Sequence, residues 1–261
     1  MRSDVLAFFA FTALINTAHS VGPNNVLNDT GVARYGNDAQ SDLSSEPTSH
    51  PGQDARRGRD ASALWSGLRK VGGGSKGFDF TKIANNGSVL PQAAALGTSA
   101  TDWGCTHDNV TGLMWEIKVN SPALLHHMGH TFTWYDSNPS TNGGQVGTAS
   151  GGGNCLAAGR CDTEKFVQDV NAAGLCGHND WRLPRTKELL SIIDHGISDA
   201  GAPKVDSAYF PNIPTSASFW SGSADARDST SAWLVGFYHS AVVGTWRKSA
   251  GEYVRVVRGG P

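Results

Sequence analysis

The chain has 261 residues, 39% of them hydrophobic, which is enough for a sizeable core and excludes wholesale disorder. Its formal net charge of −2 excludes global attraction to nucleic acid or to anionic membranes, so no nucleic-acid partner is expected. The 32 glycines and the low charged fraction of 17% exclude a helical bundle and favour a loop-rich protein.

The first 20 residues read as a secretory signal peptide. Arg2 opens the chain with a positive charge, Val5 to Ile15 is an apolar run, and Ala18-His19-Ser20 is a small-x-small cleavage site. The run is too short to span a bilayer, which takes about 20 residues. No later segment is long and apolar enough to do so, and no transmembrane segment is expected. Export to the periplasm, the cell surface or the medium is the expectation.

Residues 21–75 carry clusters of Gly, Ser, Asn, Asp and Pro, then Arg56-Arg57-Gly58-Arg59, and suit a flexible linker. Within it, Leu64, Trp65 and Leu68 fit one helical turn docking onto the C-terminal domain. The glycines at 72–74 mark a boundary, and a domain over 76–261 is expected.

In that domain, residues 77–83 read as a strand, Asn85-Asn86-Gly87 as a turn, and Cys105 to Val119 as a strand pair. A polar, glycine-rich insertion comes next and contains the aromatic run Phe132-Thr133-Trp134-Tyr135. Asp162 is a natural N-cap for a helix over 163–173, with Phe166, Val167, Val170 and Ala173 on one face and Gly174 beyond its end. A second helix is expected over Thr186 to His195, and strands over 218–221, 232–238, 242–247 and 252–258. Helices in the middle and hairpins at the end make this an α+β domain.

Cys105, Cys155, Cys161 and Cys176 form an even set, and three connectivities are possible in an oxidising compartment. We favour Cys155–Cys161, across the short loop 156–160, with Cys105–Cys176 closing a long one. A zinc site competes poorly, because no two of the four form a C-x-x-C pair.

Taken together, DNVTGLMWE (108–116), TFTWY (131–135), GLCGHNDWRLPRTKELLSIIDHG (174–196), AYFPN (208–212), FWSGS (219–223) and YVRVVRGG (253–260) resemble the domain of unknown function 1566, also called the C-terminal domain of the Legionella collagen-like adhesin. The resemblance extends over about residues 76–261. It implies a fold similar to C-type lectins and the formylglycine-generating enzyme, with two helices, a twisted antiparallel sheet and long loops. It also implies an exported protein and, for some members, glycan binding. The adhesin's collagen repeat is absent here, so its trimeric stalk does not transfer. Copper oxidase chemistry does not transfer either, since disulfides account for the cysteines. Similar sequences read Pro-Thr-Arg-Lys-Glu where this one has Pro184-Arg185-Thr186-Lys187-Glu188, which breaks a capping box and predicts a weaker helix start by about 1 kcal/mol.

Three groups of residues are candidates for a site. His126, His127 and His130 are the most metal-like, but lack the Glu and the i, i+4 spacing of a zinc hydrolase; an exposed polar loop is the reading we favour, and no metal or cofactor is expected. Trp134, Tyr135, Tyr238 and Trp246 lie near expected loops and are ligand-stacking candidates, whereas Trp115, Trp181, Trp220 and Trp233 read as core. Arg247 and Lys248, with Arg255 and Arg258, form a possible cationic edge, although residues 76–261 hold 14 Lys/Arg against 16 Asp/Glu. Assembling Cys176, His178 and Asp180, or Ser221 and His239, into a nucleophilic site fails for want of a free thiol or a G-x-S-x-G elbow. A non-catalytic binding or adhesion domain, recognising a glycan or docking to an envelope protein, is therefore expected; a metal-dependent enzyme on the same scaffold is the alternative.

Overall fold

The computed structural model describes residues 28–65, 67–198, 201–238 and 243–259. The expected signal peptide and residues 21–27 lie outside them. No described helix is long and apolar enough to cross a membrane.

Among the described residues three α-helices and seven strands occur, besides two short 3-10 turns: α1 (Gly58–Leu64), β1 (Phe80–Ala84), β2 (Trp103–Asp108), β3 (Met114–Glu116), α2 (Thr163–Ala173), α3 (Thr186–Leu190), β4 (Ser218–Ala224), β5 (Ser231–Gly236), β6 (Val243–Arg247) and β7 (Val257–Arg258). They form two antiparallel sheets, one ordered β1-β2-β3-β7 and one β4-β5-β6, so the chain is α+β as expected. Alternate residues of both sheets enter two separate cores. Trp115, Ile117 and Val257 join Phe219, Val235 and Phe237 on one side, while Met114, Val254 and Val256 join Trp220 and Ala232 on the other. Both faces of β3 and β4 are therefore buried, while β6 stays largely exposed.

The C-terminal segment departs from its expected single strand over 252–258. Tyr253 pairs in parallel with Phe219 of β4, its N–H bonding Ser218 O at 3.1 Å while its carbonyl accepts from Trp220 N at 2.9 Å. Four residues later Val257 pairs with Trp115 of β3 on one side and Arg182 on the other. One segment thus serves both sheets.

α2 forms where expected. The Asp162 carboxylate accepts from Lys165 N at 2.9 Å, and Gly174 ends the helix with φ +64°, a conformation that disfavours other residues. α3 is shorter than the expected Thr186–His195. The Ser191 hydroxyl turns back to Glu188 O at 2.7 Å, and the adjacent Ile192 and Ile193 are both buried, which a helix with one narrow apolar stripe does not favour. Its N-cap residue is Arg185, which has no side-chain acceptor, so only half a capping box exists: Glu188 receives the Arg185 N–H at 2.7 Å.

Both favoured disulfides are present, Cys105–Cys176 and Cys155–Cys161. They tie residues 71 and 6 positions apart, and the loop-closure model assigns them roughly 4 and 2 kcal/mol.

Over residues 28–75 the expected linker is laid against the domain. Asp60, fully buried, accepts from Gly31 N and Gly77 N at 2.7 Å each, and burial pushes its carboxyl up from the usual range. Asn28 donates to Asp108 and Ser75 N donates to the Asp206 carboxylate at 2.8 Å. The docking turn is not the one expected: Leu64 and Trp65 are exposed, while Asp60 and Ala61 face inward. Polar composition reads as a linker, yet carboxylate-to-backbone bonds hold this segment down, with Tyr35, Ala55 and Ala61 buried beside them.

Candidate functional site

The aromatic run at 131–135 passes alongside the start of α2, and the two are joined by reciprocal bonds. Thr163 Oγ1 receives Tyr135 N and donates to Tyr135 O, both at 2.9 Å, and Thr163 N bonds Thr133 O at 2.9 Å. Beside this seam lies a groove of about 390 Å³. Its lining includes Trp134, Tyr135 and Asp136 from the run, Glu164 and Gln168 from α2, and Arg182, Arg185 and Gly222 from across the gap.

The groove's polar groups differ in how far they are already engaged. Asp136 holds the following loop through Asn138 N and the Thr141 hydroxyl, at 2.9 and 2.6 Å, and Glu164 accepts from Ser137 N at 2.7 Å. Arg182 meets Glu188 through two nitrogens, at 2.8 and 2.7 Å. The side chains of Arg185 and Gln168 are exposed and make no hydrogen bond to a described residue. The groove therefore offers a fixed rim, one tyrosine ring and two uncommitted polar arms.

Of the six residues named from sequence as ligand candidates, Trp134 and Tyr135 line this groove. Trp134 is fully buried, its Nε1 donating to Ser221 O at 2.9 Å. Lys248 is likewise buried, 4.4 Å from the Trp134 ring centre, and its Nζ donates to Asn142 O and Gln145 O at 2.8 and 2.6 Å. It is a positioning residue for the groove-side loop rather than a surface cation. Trp246 and Arg247 are exposed on β6, the edge of the three-stranded sheet, and Tyr238 is half-buried; none of them lines the groove.

The cationic edge does not form. Arg255 is fully buried and Arg258 is paired with Asp180 at 2.6 Å. Both read as strand-edge charges from sequence because alternation alone does not tell an open face from a second core. The histidines do not converge either. His126 Nδ1 meets Glu116 at 2.8 Å, His127 and His130 pack edge to face, and His130 Nδ1 meets Leu125 O. No group of three metal-ligating side chains occurs among the described residues. Cys176 is oxidised, Ser221 donates to Trp233 O, and His239 lies outside the described residues.

Sequence reasoning missed a charge cluster inside the domain. Glu116, fully buried, accepts from Lys118 Nζ at 2.6 Å, His126 Nδ1 at 2.8 Å and Val256 N at 3.0 Å. Burial pushes its carboxyl up, but the Lys118 charge and the His126 bond outweigh that and hold it at about 2. Burial pushes the Lys118 ammonium down. Arg255 donates from Nη1 to Glu116 O and lies 5.5 Å from the rings of Phe210 and Phe219, while its Nε and Nη2 have no partner among the described residues. Burial lowers it to about 10.

A family model described as the Lcl C-terminal domain matches residues 104–258. The chain belongs to the Lcl C-terminal domain family. The matched stretch holds the groove, both disulfides and the charge cluster, whereas α1 and β1 precede it. No curated protein and no solved structure matches the chain. Membership of the Lcl C-terminal domain family and two disulfides are consistent with an exported protein, and the family is one of surface-protein domains compatible with adhesion.

Proposed function

We propose that this Lcl C-terminal domain is an exported, non-catalytic recognition module, built on a lectin-like scaffold, whose groove between Tyr135 and Arg185 takes a glycan. The observation that carries the reading is the placement of two uncommitted polar side chains, Arg185 and Gln168, in one groove with a tyrosine ring on a rim already fixed by Asp136 and Glu164. Sugars present hydroxyls and an apolar C–H face together, and an aromatic ring beside hydrogen-bonding arms answers both. The acidic and basic side chains roughly balance, which favours a neutral or zwitterionic saccharide over a sulfated one.

The test is a glycan array followed by calorimetry on the exported full-length chain. Saturable binding of an oligosaccharide that weakens about tenfold or more in Tyr135→Ala and in Arg185→Ala supports the reading. Absence of binding at millimolar oligosaccharide, or binding indifferent to both substitutions, overturns it. A second reading rests on β6, where Trp246 is 55% exposed and Val243 39% exposed on a sheet edge. An envelope protein adding a strand there would be recognised through the backbone, and Trp246→Lys would abolish its capture while leaving oligosaccharide binding intact.

A further inference from the structure

A second cavity, of about 270 Å³, lies away from the groove, between the residues just before β2 and its first two residues, the residues after β3 and the C-terminal end of α2. Ile117, Leu125 and Leu175 contribute apolar walls, and Gly174 brings the end of the helix to the rim. Asn85 also lines it, but its amide nitrogen already donates to Gly97 O and Ser99 O, at 3.1 and 2.9 Å. His126 is the one titratable side chain in the lining.

The chemistry of that imidazole is set from behind. Its Nδ1 meets the Glu116 carboxylate at 2.8 Å, and the same oxygen receives Lys118 Nζ at 2.6 Å. An ionised carboxylate only accepts, so Nδ1 must carry the hydrogen, and a neutral ring then leaves Nε2 as a bare acceptor. Nε2 has no hydrogen bond to a described residue, and the side chain retains 19% of its exposure. The last turn of α2 adds partial negative charge from its carbonyls. Both features call for a donor. No cation in the lining would pair with a carboxylate, and no anion would meet an ammonium.

We propose that this cavity binds a small neutral molecule with an apolar body and one hydroxyl group, a phenol or a compact alcohol, whose O–H donates to His126 Nε2. The Glu116–Lys118 pair fixes the tautomer and neutralises its own charge, so the pocket discriminates by hydrogen bonding alone. The site is independent of the glycan groove.

The test uses 4-methylphenol as probe and 4-methylanisole as its counterpart lacking the donor, titrated into the full chain at about pH 8, above the ordinary histidine range, and followed by amide chemical shifts. Saturable shifts at Leu125, Gly174 and Leu175, with 4-methylphenol bound about tenfold tighter than 4-methylanisole, are expected from one net hydrogen bond. His126→Phe should erase that preference. Because it also removes a donor from Glu116, Leu125→Trp serves as a second variant, obstructing the cavity without touching the cluster, and should abolish the shifts. Equal binding of the two probes, shifts confined to the groove, or no saturable shift at all would overturn the proposal.

Discussion

The two faces of the four-stranded sheet treat buried charge differently. On the face shared with Met114, the Glu116 carboxylate receives three hydrogen bonds, from Lys118, His126 and the Val256 backbone. On the face shared with Trp115, the Arg255 guanidinium has one backbone acceptor, two aromatic rings and two nitrogens without a partner among the described residues. A buried charge is tolerated in two ways, by saturating it or by spreading it over ring faces, and only the first makes its neighbours depend on it.

Substitution separates the two modes. Glu116→Gln leaves Lys118 and Arg255 buried without their counter-charge and should destabilise the domain by about 3–5 kcal/mol, a fall in melting temperature of about 10 °C. Equal stability of wild type and Glu116→Gln in denaturant titration would erase the contrast. The pH dependence sharpens it. Glu116 is held at about 2, below its ordinary value of 4.5, so the unfolded chain binds more protons between those limits. The contribution, about 3 kcal/mol, is present above about pH 4.5 and lost as the pH falls toward 2; in Glu116→Gln this part of the acid limb flattens.

Sequence reading succeeds where a signal is local. Asp162 and Gly174 bracket α2 because capping uses atoms three or four residues away, and the Cys155–Cys161 pairing accords with its short loop. It fails for cations whose deciding partner is remote, although the Cys105–Cys176 link, 71 positions apart, is both expected and present. Lys248 is buried by carbonyls of Asn142 and Gln145, more than 100 positions earlier, and Arg255 by Glu116, Phe210 and Phe219. A cation in a strand reads as an open face unless those partners are known. The groove is half legible, through Trp134 and Tyr135; Gln168 and Arg185 sit on exposed positions whose spacing carries no signal.

Smaller effects complete the contrast. Removing Cys155–Cys161 by a double serine substitution should lower stability by about 2 kcal/mol, with no change in the acid limb, because this link lies outside the cluster. Arg255→Met should change stability by less than about 1 kcal/mol, since lost ring contacts offset relief of a poorly bonded charge. In the Glu116→Gln background the same substitution should recover stability, and a double-mutant cycle reads the difference. Trp246→Ala on the exposed edge should stay within about 0.5 kcal/mol of wild type.

The segment at 252–258 has a consequence for the order in which the molecule is made. It pairs with β4 through Tyr253 and with β3 through Val257, so residues 114–116 wait for a partner about 140 positions downstream. Such non-local closure slows folding, and a ribosome must release residue 258 before the central sheet is complete. Under the export reading proposed above, a polypeptide kept open during its own synthesis stays threadable through a narrow translocation channel and gains its sulfur cross-links beyond it.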